Sequence, residues 1–287
     1  MRLSGFTDEI SPDFEVQLQS AQRLGLRFIS LRSVDGVNIG QCSRECINTR
    51  VLPLLRKYHI GVSSVAAPLG KVQLNQPDQL AGQLDMARRM AEFADMLECQ
   101  FVRVFGFYLP EGAKPELFRA EVVERLGQIT QILRDGAVMP VLENEKELYA
   151  DTTERCLDVL QALQPQLGMI FDPANFVQAG CDSMEAFRVL QPYVRYVHIK
   201  DAQAGSGHNV LCGTGDGKIR ELLRRLRGQG YQGFLTLEPH LTVFDALAQL
   251  ERGDADKYVD RASDASPYEL FQQQADMVRR IIGNWED

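Results

Sequence analysis

A chain of 287 residues can bury a large core without disulfides, and 45% hydrophobic with 24% charged residues is the balance of an ordinary globular protein. The net charge of −8 argues against non-specific nucleic-acid binding, which needs surplus Lys and Arg to displace counterions, and it disfavours anionic membrane surfaces for the same reason. A local basic pocket stays open, because net charge does not report on pockets. Of the six cysteines only Cys42 and Cys46 are close, with no second pair to mirror them, so they read as reduced thiols of a cytoplasmic protein rather than a zinc knuckle or disulfide framework. The first nine residues reach Asp8 and Glu9 without a long apolar stretch, which reads as neither a signal peptide nor a membrane anchor.

Along the chain a short apolar, β-rich run is repeatedly followed by a polar turn and an amphipathic helix. The predicted strands are Leu3–Phe6, Phe28–Leu31, Ile60–Val65, Phe101–Phe105, Val138–Leu142, Met169–Phe171, Val194–Ile199 and Phe234–Leu237. Ser11, Pro12 and Asp13 signal the start of the first helix, with a cap, a first-turn proline and an acid near the dipole. Leu80, Leu84, Ala87, Ala91, Ala94 and Leu97 form one helical stripe, and Val122, Leu126, Ile129 and Leu133 another. Asp151 to Glu154 and Asp182 to Glu185 have capping-box-like spacing, with Asp supplying the cap oxygen. Strands alternating with helices imply a parallel sheet. Eight such cycles favour one closed (β/α)₈ TIM barrel domain over residues 1–287, with an extension after strand eight at about 242–287. The first strand–helix turn lacks the glycines of a dinucleotide fingerprint.

Four consecutive predicted strands end in a side chain that can bind metal: Glu143, Asp172, His198 and Glu238, separated by 29, 26 and 40 residues. The C-terminal strand ends are where a barrel builds its site. One acid after a strand is usually a helix cap or a solvated loop residue; four in successive units point to a metal site. Three carboxylates and one imidazole suit Mn²⁺, Mg²⁺ or Co²⁺ at least as well as Zn²⁺.

The segments Thr7-Asp8-Glu9-Ile10-Ser11, Pro68-Leu69-Gly70-Lys71, Leu142-Glu143-Asn144-Glu145, Phe171-Asp172-Pro173-Ala174-Asn175, His198-Ile199-Lys200-Asp201 and Leu237-Glu238-Pro239-His240 resemble the xylose isomerase-like superfamily of TIM barrels, and most of all its sugar phosphate isomerase/epimerase members. The resemblance spans nearly the whole chain and is specific for the superfamily, not for a substrate. It implies one divalent cation on Glu143, Asp172, His198 and Glu238. It also implies that Glu143 and Glu238 act as acid and base, removing a proton beside a carbonyl and returning it through an enediolate. The partner so implied is a sugar or sugar derivative, and a homodimer or larger assembly is compatible with it. Departures lie at Asn175, where ketose epimerases of the family often have His, at Ser30, where many relatives have an acid, and at Gly213-Thr214-Gly215, where a Glu often stands.

Around this set, Lys71, Glu145, Asn175, Lys200 and His240 are candidate substrate contacts, and Asp201 a residue that orients a ligand from behind. For Glu145 a turn cap, and for Lys71, Lys200 and Asp201 a loop ion pair or exposed residue, are the plain alternatives. His208 and His59 read as a loop residue and a structural one. The loop from Gly213 to Lys218 could cradle phosphate, but a tight turn with Asp216 as cap is the better reading. The leading function is a metal-dependent sugar isomerase or epimerase. The alternatives are a keto-polyol dehydratase or lyase of the same superfamily and a non-catalytic sugar-binding protein. An apurinic endonuclease, which shares the fold, is disfavoured, because its three-zinc site needs more histidines at strand ends than four in the whole chain allow.

Overall fold

Eight parallel strands carry the architecture: β1 (Arg2–Gly5), β2 (Phe28–Leu31), β3 (Gly61–Leu69), β4 (Phe101–Val104), β5 (Met139–Glu143), β6 (Gly168–Phe171), β7 (Val194–Ile199) and β8 (Phe234–Leu237). The computed structural model describes residues 1–244, 259 and 264–283. The hydrogen-bonded order is β1-β8-β7-β6-β5-β4-β3-β2, a nearly closed barrel with β1 and β2 at the two ends of the order. All eight predicted strands are present, the third longer than predicted because Ala66 to Leu69 continue it.

Helices follow the strands in turn, and the predicted stripes are their buried faces. Val122, Leu126, Ile129 and Leu133 are buried on helix Arg119–Asp135, while Leu80, Ala87, Ala91 and Ala94 are buried on Pro77–Met96. The caps form with small shifts. Asp13 caps the first helix by accepting from Val16 N, and Thr152 rather than Asp151 caps Thr153–Ala162. Asp182 caps Ser183–Leu190 as predicted. Two short antiparallel pairs decorate the strand tops, Ser33–Val34 with Val37–Asn38 and Asp201–Ala202 with Asn209–Val210.

The region from 242 onward is described only in part, and most of the acidic stretch 251–266 lies outside the described residues. Helix Pro267–Gly283 buries Phe271, Gln274, Ala275, Val278 and Ile281. A Cβ on Gly5 of β1 would meet Phe271 Cζ at 2.7 Å, so the helix packs directly on that strand. Gln274 accepts from Cys212 N at 2.9 Å and donates to Ile199 O at 3.0 Å. This helix is therefore the barrel's eighth, filling the wall between β8 and β1. All six cysteines are free thiols. Among the described residues, no helix is long and apolar enough to cross a membrane.

The barrel interior is layered. Phe101, Val141, Ile170 and Phe234 form an apolar floor, with Phe28 and Met139 packed against it. Above them the Tyr196 hydroxyl stands 2.7 Å from Ser63 Oγ and 2.5 Å from Thr236 Oγ1, and accepts from Ser64 Oγ at 3.2 Å. Ser4 and Ser30 join through Ser63 and Ser64, both at 2.6 Å. The small polar residues of β1, β2, β3 and β8 thus meet at one phenol, each buried hydroxyl satisfied by another. This plug carries the charged layer on top.

Candidate metal centre

Alternation along β5, β7 and β8 turns Glu143, His198 and Glu238 inward, each with no more than 2% of its surface exposed, and Asp172 follows the last residue of β6. His198 Nδ1 lies 2.9 Å from Glu143 Oε1, 2.9 Å from Glu238 Oε2 and 3.8 Å from Asp172 Oδ2. One donor atom from each of the four falls within 4.8 Å of every other. Two donors about 2.1 Å from one ion, at a right angle, stand roughly 3 Å apart, so these separations suit a shared cation. Asp172 Oδ2 and Glu238 Oε2 are buried and accept no hydrogen bond from any described residue. Their near neighbours are His198 Nδ1, 2.9 Å from Glu238 Oε2, and the Lys200 ammonium, 3.0 Å from Asp172 Oδ2, and carboxylates gathered in a closed pocket are costly unless cations balance them. The residues therefore fit one divalent metal ion, and three oxygens with one nitrogen are a hard set.

Asp172 combines the plain role of a strand-end acid with this one. Its Oδ1 caps helix Pro173–Gln178 by accepting from Asn175 N at 3.0 Å, which leaves Oδ2 for the cluster. Asn144 fixes the strand end, accepting from Asp172 N at 3.0 Å and donating to Asp172 O at 2.9 Å.

The cluster's electrostatics call for positive charge. Burial opposes a charged ring at His198, but Glu143 and Glu238 outweigh it and hold the pKa well above the ordinary histidine value. Burial likewise opposes ionisation of Glu238, yet His198, Lys200 and His240 hold it well below the carboxylate range. The His198 proton and a metal ion compete for the same Nδ1.

Two buried arginines complete the layer, and neither stands among the residues picked out from sequence. Arg32 on the turn after β2 donates twice to Asp8, at 2.8 and 2.9 Å, and once to Glu238 Oε1 at 3.0 Å. Arg103 on β4 donates to Glu143 Oε2 at 3.0 Å and to Ala66 O at 2.8 Å. Each glutamate thus offers one oxygen to the cluster and gives the other to a guanidinium. The signal was in the strands: Phe28, Ser30 and Arg32 share one parity, as do Phe101 and Arg103, so both arginines had to point inward. A second group of potential ligands, Glu9, Glu238 and His240, adjoins the first. Arg32 already stands 3.5 Å from Glu9 Oε1 and 3.0 Å from Glu238 Oε1, filling the place of a second cation.

The predicted substrate contacts divide. Lys200 Nζ lies 3.0 Å from Asp172 Oδ2 and 4.0 Å from Glu238 Oε2, inside the site, and neighbouring carboxylates raise its pKa despite burial. His240 has a left-handed backbone, φ 48°, which sends its N–H to Glu9 Oε2 at 2.8 Å and its Nε2 to within 3.3 Å of Glu238 Oε1. Burial is the main cause that lowers its pKa. Lys71 and Glu145 pair at 2.9 Å beside the site, where Lys71 and its neighbours pull Glu145 down to about 2 against burial. Asn175 braces the strand ends, donating to Asn144 O at 2.8 Å, and its Oδ1 accepts nothing from the described residues.

Asp201 anchors the loop that follows β7. Its carboxylate accepts from the backbone N–H groups of Ala202, Gly213, Gly215 and Gly217 at 2.8–3.0 Å. The glycine loop that looked able to cradle phosphate therefore already holds an internal anion. A Cβ on Gly215 or Gly217 would meet Asp201 Oδ1 at 2.6 or 2.7 Å, which explains the glycines. His208 lies in the loop of the Asp201–Ala202 hairpin, and His59 is a left-handed helix C-cap with φ 53°, a structural position.

The model of a family described as xylose isomerase-like TIM barrel matches residues 18–256. The chain belongs to this family. Fructoselysine 3-epimerase of Escherichia coli O157:H7 is 25% identical over 160 residues, 54% of this chain and 58% of that protein. The 3-dehydroshikimate dehydratase of Bacillus anthracis is 20% identical over 129 residues, 45% of this chain and 46% of the other. The chain thus spans about half the length of these curated relatives. Among solved structures, the IOLI protein with a bound zinc atom superposes with a TM-score of 0.75 at 15% identity, covering 99% of each chain. D-allulose 3-epimerase from Methylomonas sp. superposes with a TM-score of 0.74 at 16% identity, covering 98% of each. At such identities the structural likeness establishes the fold. Relatives in this family include epimerases and a dehydratase.

Proposed function

We propose that the chain is a divalent-metal-dependent isomerase or epimerase of a sugar or sugar derivative, with Glu143, Asp172, His198 and Glu238 as ligands. The observation that carries this is the convergence of four buried donors, three carboxylates and one imidazole, on one point at the C-terminal mouth of the barrel. An ion held there supplies Lewis-acid polarisation of a substrate carbonyl and stabilises negative charge on its oxygen. Glu143 and Glu238 approach that point from β5 and from the end of β8, with β6 and β7 between them in the sheet. A carboxylate on each side lets one take the proton beside the carbonyl while the other returns it, inverting the centre. Arg103 and Arg32 fix the glutamate rotamers. Lys200, buried beside Asp172, is a donor for a substrate oxygen.

The test is proton exchange in D₂O over a panel of ketoses with Mn²⁺ supplied. An active ketose should gain deuterium beside its carbonyl. Glu143→Gln and Glu238→Gln should slow exchange by about a hundred- to ten-thousandfold while retaining metal. Turnover without solvent deuterium would move the chemistry to hydride transfer between carbons. Full activity in both variants would remove the glutamates from it.

Lys200 favours a second reading, dehydration of a keto-polyol. Its ammonium group beside Asp172 is a donor suited to a departing hydroxyl, and a dehydratase stands among the relatives. Loss of water from the product, read by mass, separates the two.

A further inference from the structure

Outside the strands, between helices Pro77–Met96 and Arg119–Asp135, lies a cavity of about 210 Å³ that the metal chemistry does not use. Pockets for drug-sized ligands begin at roughly 300 Å³, so the occupant of this one must be small. Leu84, Phe107 and Ile129 line it with carbon, while Gln83 and Arg125 bring hydrogen-bond donors. Among the described residues, no Asp or Glu lines it. Arg125 Nε is buried and donates to no described residue. Its Nη2 stands 3.8 Å from Glu121 Oε1, with both side chains more than a third exposed, so that contact is weak. A buried N–H without an acceptor is costly, and a carboxylate is the acceptor that matches a guanidinium best.

The cavity also reaches the barrel mouth through one residue. Gln83, 6% exposed, accepts from Gly70 N at 2.8 Å, which leaves its amide N–H groups for the cavity it lines. Phe107 N donates to Gly70 O at 2.9 Å. Both polar groups of Gly70 are therefore held by residues of the cavity wall. Only glycine suits this position, because its φ is 80° and a Cβ there would collide with Phe105 O. The next residue is Lys71, whose ammonium reaches Glu145 beside the site at 2.9 Å.

We propose that this cavity binds a small monocarboxylate with a short apolar chain, and that its occupancy is relayed through Gly70 to Lys71. The carboxylate accepts from Arg125 and Gln83, and the chain packs between Leu84, Phe107 and Ile129. A cation without an acid in the lining selects the charged head group, and the carbon walls select the chain. An occupant that draws on the Gln83 amide pulls at Gly70 N, and one that displaces Phe107 pulls at Gly70 O. Either shifts the backbone that carries Lys71, and with it the Lys71–Glu145 pair. A ligand on the outer wall thus adjusts a charged group beside the four clustered donors without competing for them, and it does so whether or not they hold a metal.

Methyl and amide NMR of the full chain tests both parts. Butyrate, hexanoate and neutral hexanamide are titrated while the Leu84 and Ile129 methyls and the Gly70 and Lys71 amides are followed. Hexanoate should move these signals along one saturation curve, with a Kd of about 1 mM for so small a ligand. Butyrate should bind about tenfold more weakly for its shorter chain, and hexanamide at least about tenfold more weakly for its missing charge. Arg125→Met, at a partly exposed position that keeps the fold, should erase the preference for hexanoate over hexanamide. Leu84→Trp should fill the cavity and abolish the response of the Ile129 methyl. Methyls that stay unmoved, equal binding of hexanoate and hexanamide, a preference that survives Arg125→Met, or binding that survives Leu84→Trp would overturn the carboxylate site. Methyls that respond while Gly70 and Lys71 stay still would overturn the relay.

Discussion

Replacing Arg32 by Met should destabilise the metal-free protein by about 4 kcal/mol, because breaking a buried ion pair typically costs about 3–5 kcal/mol. The methionine keeps most of the apolar stem, so the loss is mainly electrostatic. Arg32 is 1% exposed, and its removal strands Asp8, which loses two hydrogen bonds, and Glu238, which loses one. A divalent ion at the proposed centre restores a cation to Glu238 but not to Asp8. Saturating Mn²⁺ should therefore reduce the loss to about 2–3 kcal/mol without abolishing it. Arg103→Met, which strands only Glu143, should lose about 3 kcal/mol without metal and about 1 kcal/mol with it. Urea unfolding followed by circular dichroism, each variant against wild type with and without Mn²⁺, gives all four differences. Losses below about 1 kcal/mol, or losses that metal leaves unchanged, would refute the claim that these arginines balance the ligand carboxylates.

Three further outcomes follow from the geometry. Glu145 is held down to about 2 by Lys71 and neighbouring lysines, against an unfolded value of about 4.3, so its contribution is present above about pH 5 and lost as pH falls toward 2. Lys71→Met should make the urea midpoint fall less steeply between pH 5 and pH 3 than in wild type; parallel slopes would remove the pair from the acid limb. Asp201→Ala should cost about 2–4 kcal/mol and expose the loop from Gly213 to Gly217 to faster hydrogen exchange, with Mn²⁺ affinity unchanged; a loss of metal would return Asp201 to the ligand network. Tyr196→Phe should cost about 1–3 kcal/mol, since Ser63 and Thr236 lose a shared buried partner, and a neutral change would mean the hydroxyls re-pair among themselves.

The strands and the four clustered residues Glu143, Asp172, His198 and Glu238 were legible because they repeat one local pattern, an apolar run ending in a side chain able to bind metal. Arg32 and Arg103 were harder to see. An arginine within or just beyond a short strand normally suggests an exposed edge, and only the shared parity with Phe28 and Phe101 shows that these two point inward. Glu9 depends on contacts across more than two hundred positions to His240, which no local pattern reveals. The loop contacts of Asp201 were hidden for a related reason. Its neighbour Lys200 faces the site, but the four amides that claim the Asp201 carboxylate come from a loop whose path the sequence leaves open. The helix after β8 had clear apolar spacing, yet its role in closing the barrel rests on Phe271 against Gly5, a contact between the two ends of the chain.

The most direct test is anomalous scattering from crystals of protein supplied with Mn²⁺, recorded on both sides of the manganese edge. The expected result is one strong peak within bonding distance of Glu143, Asp172, His198 and Glu238, lost in His198→Ala and kept in His240→Ala. A fully occupied peak elsewhere with these four residues empty, or equal loss in both histidine variants, would contradict it.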